Sequence, residues 1–187
     1  ELLDSHSDHL ILIAAVPQGP ECEYGWIEPV AKEGCVSDPI RIPAQQVRKF
    51  VEKPSSREAR HCFECGHFWS TMIVVARAET LWSLVTQLQP NVMSRFEKLS
   101  QAFRGIADRR FSEQARDLLV KIAYSKIPSF DFSKDVLTPS VEKCLFVPLD
   151  GVTWSDLGRP ERLLEVLDRI GLAPNFPREL VLAGGRK

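Results

Sequence analysis

Apolar positions along the chain follow two rhythms. His9 to Val16 (HLILIAAV) is a nearly continuous branched run, the pattern of a strand covered on both faces in a parallel or mixed sheet. Tyr24 to Glu28, Val47 to Glu52 and Met72 to Ala76 read as further short strands, and Cys144 to Leu149 as the last. The segment rich in Pro, Gly and Asp that leads up to Pro43 predicts an exposed hairpin or loop.

The second rhythm is helical. Leu81, Leu84, Val85 and Leu88 share one face before Pro90 stops the element. Asn91 is placed to cap a helix carrying Val92, Phe96, Leu99 and Phe103 up to Gly105, and Ser112 another carrying Leu118, Leu119 and Ile122. These two helices are expected to pair. Pro160 suits the first position of a last helix, with Leu163, Leu164, Leu167 and Ile170 inward before Gly171. Strands alternating with helices predict an α/β layered domain.

At 187 residues and 44% hydrophobic content the chain is long enough for one sizeable core. We expect one domain over 1–182 and a loose tail over 183–187, where Gly184 and Gly185 precede no helix that would present amides to phosphate. Lys and Arg number 24 against 25 Asp and Glu without a block of either sign, which argues against nucleic acid or an anionic membrane as partner. No apolar run reaches the roughly 20 residues of a membrane span. Five cysteines, an odd number without a framework spacing, suit a reducing compartment, so a cytoplasmic location is expected.

Three segments then narrow the picture: EYGWIEP from Glu23, FVEKPSSREA from Phe50 running on to GHFWSTMIVVARAETL from Gly66, and VTWSDLGRPERL from Val152. In order and spacing they resemble the mannose-1-phosphate guanylyltransferase branch of the sugar-1-phosphate nucleotidyltransferases. The resemblance implies a mixed, largely parallel sheet flanked by helices, incomplete at the amino terminus, corresponding to the carboxy-terminal part of the catalytic domain. It also implies transfer of a nucleotidyl group from a nucleoside triphosphate to a sugar-1-phosphate. That reaction is mostly alignment and neutralisation of crowded negative charge.

Carried over position by position, the resemblance makes Gly25 the glycine that lets backbone approach the sugar. Glu52 becomes an acceptor for sugar hydroxyls and Lys53 a point charge for the sugar phosphate. Ser70 and Thr71 fall on the family's Asn and Ser, and Met72 on its next Gly; Asp135 would accept a hydroxyl or orient Lys53, against a plain turn cap. Asp156, in Trp154-Ser155-Asp156-Leu157-Gly158, would be a ligand for catalytic Mg²⁺. The family's glycine-rich triphosphate loop has no counterpart, and Asp8-His9, which imitates its other metal motif, precedes a strand instead of following one. The chain is therefore expected to be a fragment that binds sugar phosphate but does not turn over alone.

Two other readings stand beside this one. His61-Cys62-Phe63-Glu64-Cys65-Gly66-His67 holds donors a zinc ion would accept, but four ligands in seven residues crowd the geometry, and a surface helix and turn is the plainer expectation. The whole chain could also be a degenerate sugar-phosphate-binding or regulatory module, which the Ser at position 70 favours. The stripe of Leu81, Leu84 and Leu88 leaves an oligomer open.

Overall fold

The structure is a computed structural model that describes residues 2–30, 44–106, 112–179 and 181. The chain divides into two compact units, residues 1–149 and 150–187. The expected loop up to Pro43 lies mostly, and the 183–187 tail entirely, outside the described residues.

Among the described residues of the first unit, five strands carry the sheet: β1 (Leu10–Ala15), β2 (Gly25–Pro29), β3 (Gln45–Glu52), β4 (Phe68–Val75) and β5 (Cys144–Leu149). They close into a ring in the order β1, β4, β2, β3, β5. β1 runs parallel to β5, from Leu10 beside Cys144 to Ala15 beside Leu149. The other four pairings, β1 with β4, β2 with β3, β2 with β4 and β3 with β5, are antiparallel. The expectation of a largely parallel sheet is therefore corrected. A continuous apolar run reports that both faces of a strand are covered, and says nothing of the direction of its neighbours.

One face of the ring gathers Leu10, Leu12, Ala14, Ile27, Val47, Phe50 and Phe146, all buried. Phe68 and Phe146 lie with ring centroids 5.0 Å apart. On the other face Trp69 meets Tyr24 and Trp26 edge-on, at 4.9 and 6.0 Å. A short helix, α1 (Leu2–Ser5), precedes β1, and a second, α2 (Ser56–Glu64), turns Ala59 and Cys62 inward and opens with a capping box between Ser55 and Glu58.

β4 carries an irregularity that matters below. Leu12 pairs with Val74 but Ala14 with Ser70, so Thr71, Met72 and Ile73 together face Ile13 alone. Met72 takes a positive φ of 59° there, at the position where the resembled family has glycine. The Thr71 hydroxyl donates to the Ile13 carbonyl at 2.7 Å and accepts from the Ile73 amide at 3.2 Å. The Ser70 hydroxyl accepts from the Met72 amide at 3.3 Å.

The predicted helices form as α3 (Ala78–Leu88), α4 (Pro90–Ile106) and α5 (Glu113–Tyr124). Ser112 caps α5 through the Ala115 amide, and Phe96 and Tyr124 pack edge to face between α4 and α5. Asn91 does not cap α4. Pro90 opens that helix, where its missing N–H costs nothing, and Gln89 accepts the Val92 and Met93 amides. A π-helical turn (Ser133–Leu137) and a 3-10 turn (Thr138–Lys143) then lead into β5.

The second unit is built on α6 (Pro160–Arg169), which begins at proline as expected. Leu164 is buried, but Ile170, expected inward, is 57% exposed. It stands just beyond the last helical residue, beside Gly171 at a φ of +70°, so the helical period no longer sets its direction.

Phe146, fully buried at the centre of the ring, should cost about 3–5 kcal/mol when cut back to Ala, whereas half-exposed Trp82→Ala should cost less than about 1 kcal/mol. Urea unfolding of both variants measures the difference.

Candidate functional site

The register of the ring brings three of the candidate positions into one row with Ala14. Gly25 pairs with Glu52 across β2 and β3, and Ala14 with Ser70 across β1 and β4. Trp26 stands beside Trp69, so one further step along the same ladder sets Ser70 next to Gly25. Directly paired residues share a face of a sheet. The row Ala14, Ser70, Gly25 and Glu52 therefore lies along one end of the ring, on the face that holds Ile27 and Phe50 one layer below.

Gly25 has a visible reason. A Cβ there would stand 2.8 Å from Cζ of Phe50 and 3.0 Å from Oε2 of Glu52. The missing side chain thus makes room for an aromatic ring and a carboxylate, and the Glu52 side chain is held over the backbone at 13% exposure. Its neighbour Lys53 is exposed, with Nζ 4.0 Å from Glu52 Oε1, and turns off the strand at a φ of +46°. Such a conformation is uncommon for a residue with a side chain. It sends a flexible cation past the end of a strand whose last carboxylate is largely buried, before buried Pro54.

The hydroxyls of Ser70 and Thr71 are close to this row, but both already bond the backbone of the β4 bulge, as described above. The turn carrying Asp135 is fastened to the same bulge, because the Ser133 hydroxyl donates to the Met72 sulfur at 3.3 Å. The Asp135 carboxylate accepts from the Asp131 amide at 2.7 Å and so caps its own turn, the plainer of the two roles open to it.

Asp156 lies in the second unit, on the loop before α6. Its Oδ1 accepts from the Gly158 amide at 2.8 Å and is paired with the Arg162 guanidinium. Arg162 is 4% exposed. Among the described residues, no three or more His, Cys, Asp or Glu side chains are gathered as a metal ion would need. With the Gly158 amide and the Arg162 guanidinium both on Oδ1, and no such group of ligands around it among the described residues, the donor set at Asp156 does not fit the magnesium ion that the resemblance implies.

Arg162 and Phe50 are the residues that pattern reading missed. A signal existed for the arginine. It stands in the first turn of α6, where the helix dipole favours anions, so a cation there calls for a carboxylate close by.

Asp8 sits in the turn before β1, at the opposite end of that strand from Ala14. Its carboxylate bonds Lys143 at 3.0 Å and His9 at 2.7 Å. Of the cysteines on α2 and its cap, Cys62 is buried, which raises its thiol pKa, while Cys65 is exposed beside His61 at 3.6 Å.

The family model described as nucleotidyl transferase matches residues 2–171. The chain belongs to the nucleotidyl transferase family. It is 26% identical over 164 residues to a mannose-1-phosphate guanylyltransferase of Escherichia coli, covering 87% of this chain and 32% of that protein. A Klebsiella pneumoniae protein of the same name is 26% identical over 159 residues, covering 84% and 31%. The chain therefore spans about a third of the length of these curated relatives.

Among solved structures, one described as mannose-1-phosphate geranyltransferase from Thermus thermophilus superposes with a TM-score of 0.66 at 22% identity, covering 88% of this chain and 42% of that one. Another, mannose-6-phosphate isomerase from Helicobacter pylori, gives 0.54 at 18% identity, covering 80% and 52%. They share the mixed α/β fold of this chain. No helix among the described residues is long and apolar enough to cross a membrane.

The charge pair at Asp8 has a pH signature. Hydrogen bonds from Lys143 and then His9 bring its pKa from 3.8 to about 2. A carboxylate with a depressed folded pKa adds stability that is full above its unfolded value and is lost as pH falls through the folded one. Because the pair is exposed and screened by water, Asp8→Asn should lower the thermal midpoint only slightly at pH 6, and the gap from the parent should close between about pH 4 and pH 2.

Proposed function

We propose that this chain is the sugar-phosphate-binding part of a nucleotidyl transferase, with a sugar-1-phosphate as its ligand and a nucleoside triphosphate as the second substrate of the reaction. The observation that carries the reading is the Gly25, Glu52 and Lys53 corner. A glycine backbone, a carboxylate held against it and an exposed ammonium stand together at one end of the ring.

Those three groups suit the two ends of such a ligand. Ring hydroxyls donate, so a carboxylate that only accepts is their complement, and charge-assisted bonds of this kind are the strong ones. The phosphate calls for a cation that can follow it, and Lys53 offers a point charge on a flexible stem. In transfer the sugar-phosphate oxygen attacks the α-phosphorus of the triphosphate, a new P–O bond forms there, and pyrophosphate leaves with the electron pair of the broken bond. What this corner contributes is orientation of the attacking phosphate and screening of its charge.

A second reading, a sugar-phosphate-binding or regulatory module without turnover, is favoured by the Ser70 and Thr71 hydroxyls. Both are held by the backbone of the bulge, and Ser70 stands where the resembled branch carries an amide. Both readings require the same pocket chemistry and differ in whether nucleotide is consumed.

Calorimetric titration of the chain with mannose-1-phosphate, mannose and inorganic phosphate tests the shared part. Glu52→Gln should weaken sugar-phosphate binding by roughly tenfold or more, the worth of one charge-assisted hydrogen bond. Lys53→Met should erase the advantage of mannose-1-phosphate over mannose. Equal affinity of the parent and both variants would count against the site.

A further inference from the structure

The loop before α6 contains a carboxylate at the position where the resembled branch holds a metal, and beside it a cation that the protein supplies. Oδ1 of Asp156 takes the Gly158 amide at 2.8 Å and the Arg162 guanidinium. The carboxylate folds back this far because Gly158 has no Cβ, which would stand 2.9 Å from Oδ2. Leu157 between them adopts a φ of +51°, a strained conformation that persists only where its surroundings over-determine it.

Burial makes the pair obligatory from the arginine's side. Its side chain is 5% exposed, against 36% for Asp156. It also lies in the first turn of α6, where the helix dipole is positive. A guanidinium in that position without a counter-charge would be strongly destabilising. A divalent ion on the same carboxylate oxygen would place a second positive charge within hydrogen-bond reach of the first.

We infer that Arg162 is the resident cation of this loop. It occupies on Asp156 the place a magnesium ion would take, and it locks the turn from Trp154 to Gly158 without a metal. Arg162 is thus a positioning residue, and Asp156 serves the loop as its counter-charge. The inference stands apart from the sugar-phosphate reading, because it concerns only residues of the second unit.

The test uses the full chain, with Mn²⁺ as the probe and no substrate. Hydrogen exchange at the Gly158 amide, followed by NMR, reports the lock, and electron paramagnetic resonance reports bound Mn²⁺. Arg162→Met and Asp156→Asn should each speed exchange at Gly158 by at least about tenfold, and the double variant should be no worse than the more damaged single one. The parent should bind Mn²⁺ no better than Asp156→Asn. Should Arg162→Met fail to fold, Arg162→Lys keeps the charge, loses the fork and is expected to exchange faster than the parent at Gly158 alone. Mn²⁺ binding by the parent that is abolished in Asp156→Asn, or unchanged Gly158 exchange in the arginine variants, would overturn the inference.

Discussion

The first unit depends on one strand having two neighbours of opposite direction. β1 is parallel to β5 and antiparallel to β4, with its core-facing side chains fully buried. The pairing of Leu10 with Cys144 joins residues 134 positions apart, so its loop-closure cost is met only once the intervening chain is in place. Closing the ring satisfies the backbone of β1 on both sides and leaves neither of its edges open to template aggregation. Cys144 shows how complete the seal is: burial raises its thiol pKa to about 12, and its Sγ–H donates to the Ser140 carbonyl.

From that constraint the bulge in β4 follows. β1 holds its register with β5 residue by residue over its whole length, so the mismatch with β4 is taken up by the strand on the other side. Thr71, Met72 and Ile73 absorb it, the two hydroxyls staple it, and Met72 accepts a left-handed conformation. Beyond the bulge the ladder resumes two residues out of step and sets Ser70 beside Ala14, while the pairings of β2 with β4 and with β3 set Ser70 in line with Gly25 and Glu52. The candidate site is thus downstream of a packing problem. The same hydroxyls that resemblance assigns to substrate also hold the sheet that presents Glu52.

Two aspartates illustrate how far a motif reaches. Asp8 and Asp156 both occupy triplets that look like metal motifs, and each is met by a cation of the chain itself, Lys143 for one and Arg162 for the other. The difference is burial. Lys143 is half exposed and its pair is screened by water, so it adds little, whereas the guanidinium of Arg162 is enclosed and its pairing with Asp156 is screened far less.

Much of the fold could be read from residue order. The apolar run of β1, the capping serine of α5 and the proline that opens α6 each act through a local cause, whether burial on both faces, an unsatisfied amide or a fixed φ. The segments around Gly25, Glu52 and Asp156 carried the family for the same reason, since a motif records local backbone and side-chain chemistry. Strand direction, the β4 bulge, the space that Gly25 leaves for Phe50 and the burial of Arg162 were not legible in this way. Each is a relation between residues far apart in sequence or a matter of enclosure, and neither periodicity nor composition encodes which distant group comes to lie within hydrogen-bond reach. The sequence by itself determined the elements and the chemical types available to a site; the tertiary structure alone decided which carboxylate lies over Gly25 at the end of the ring and which is taken by an arginine, because that choice depends on desolvation and distance.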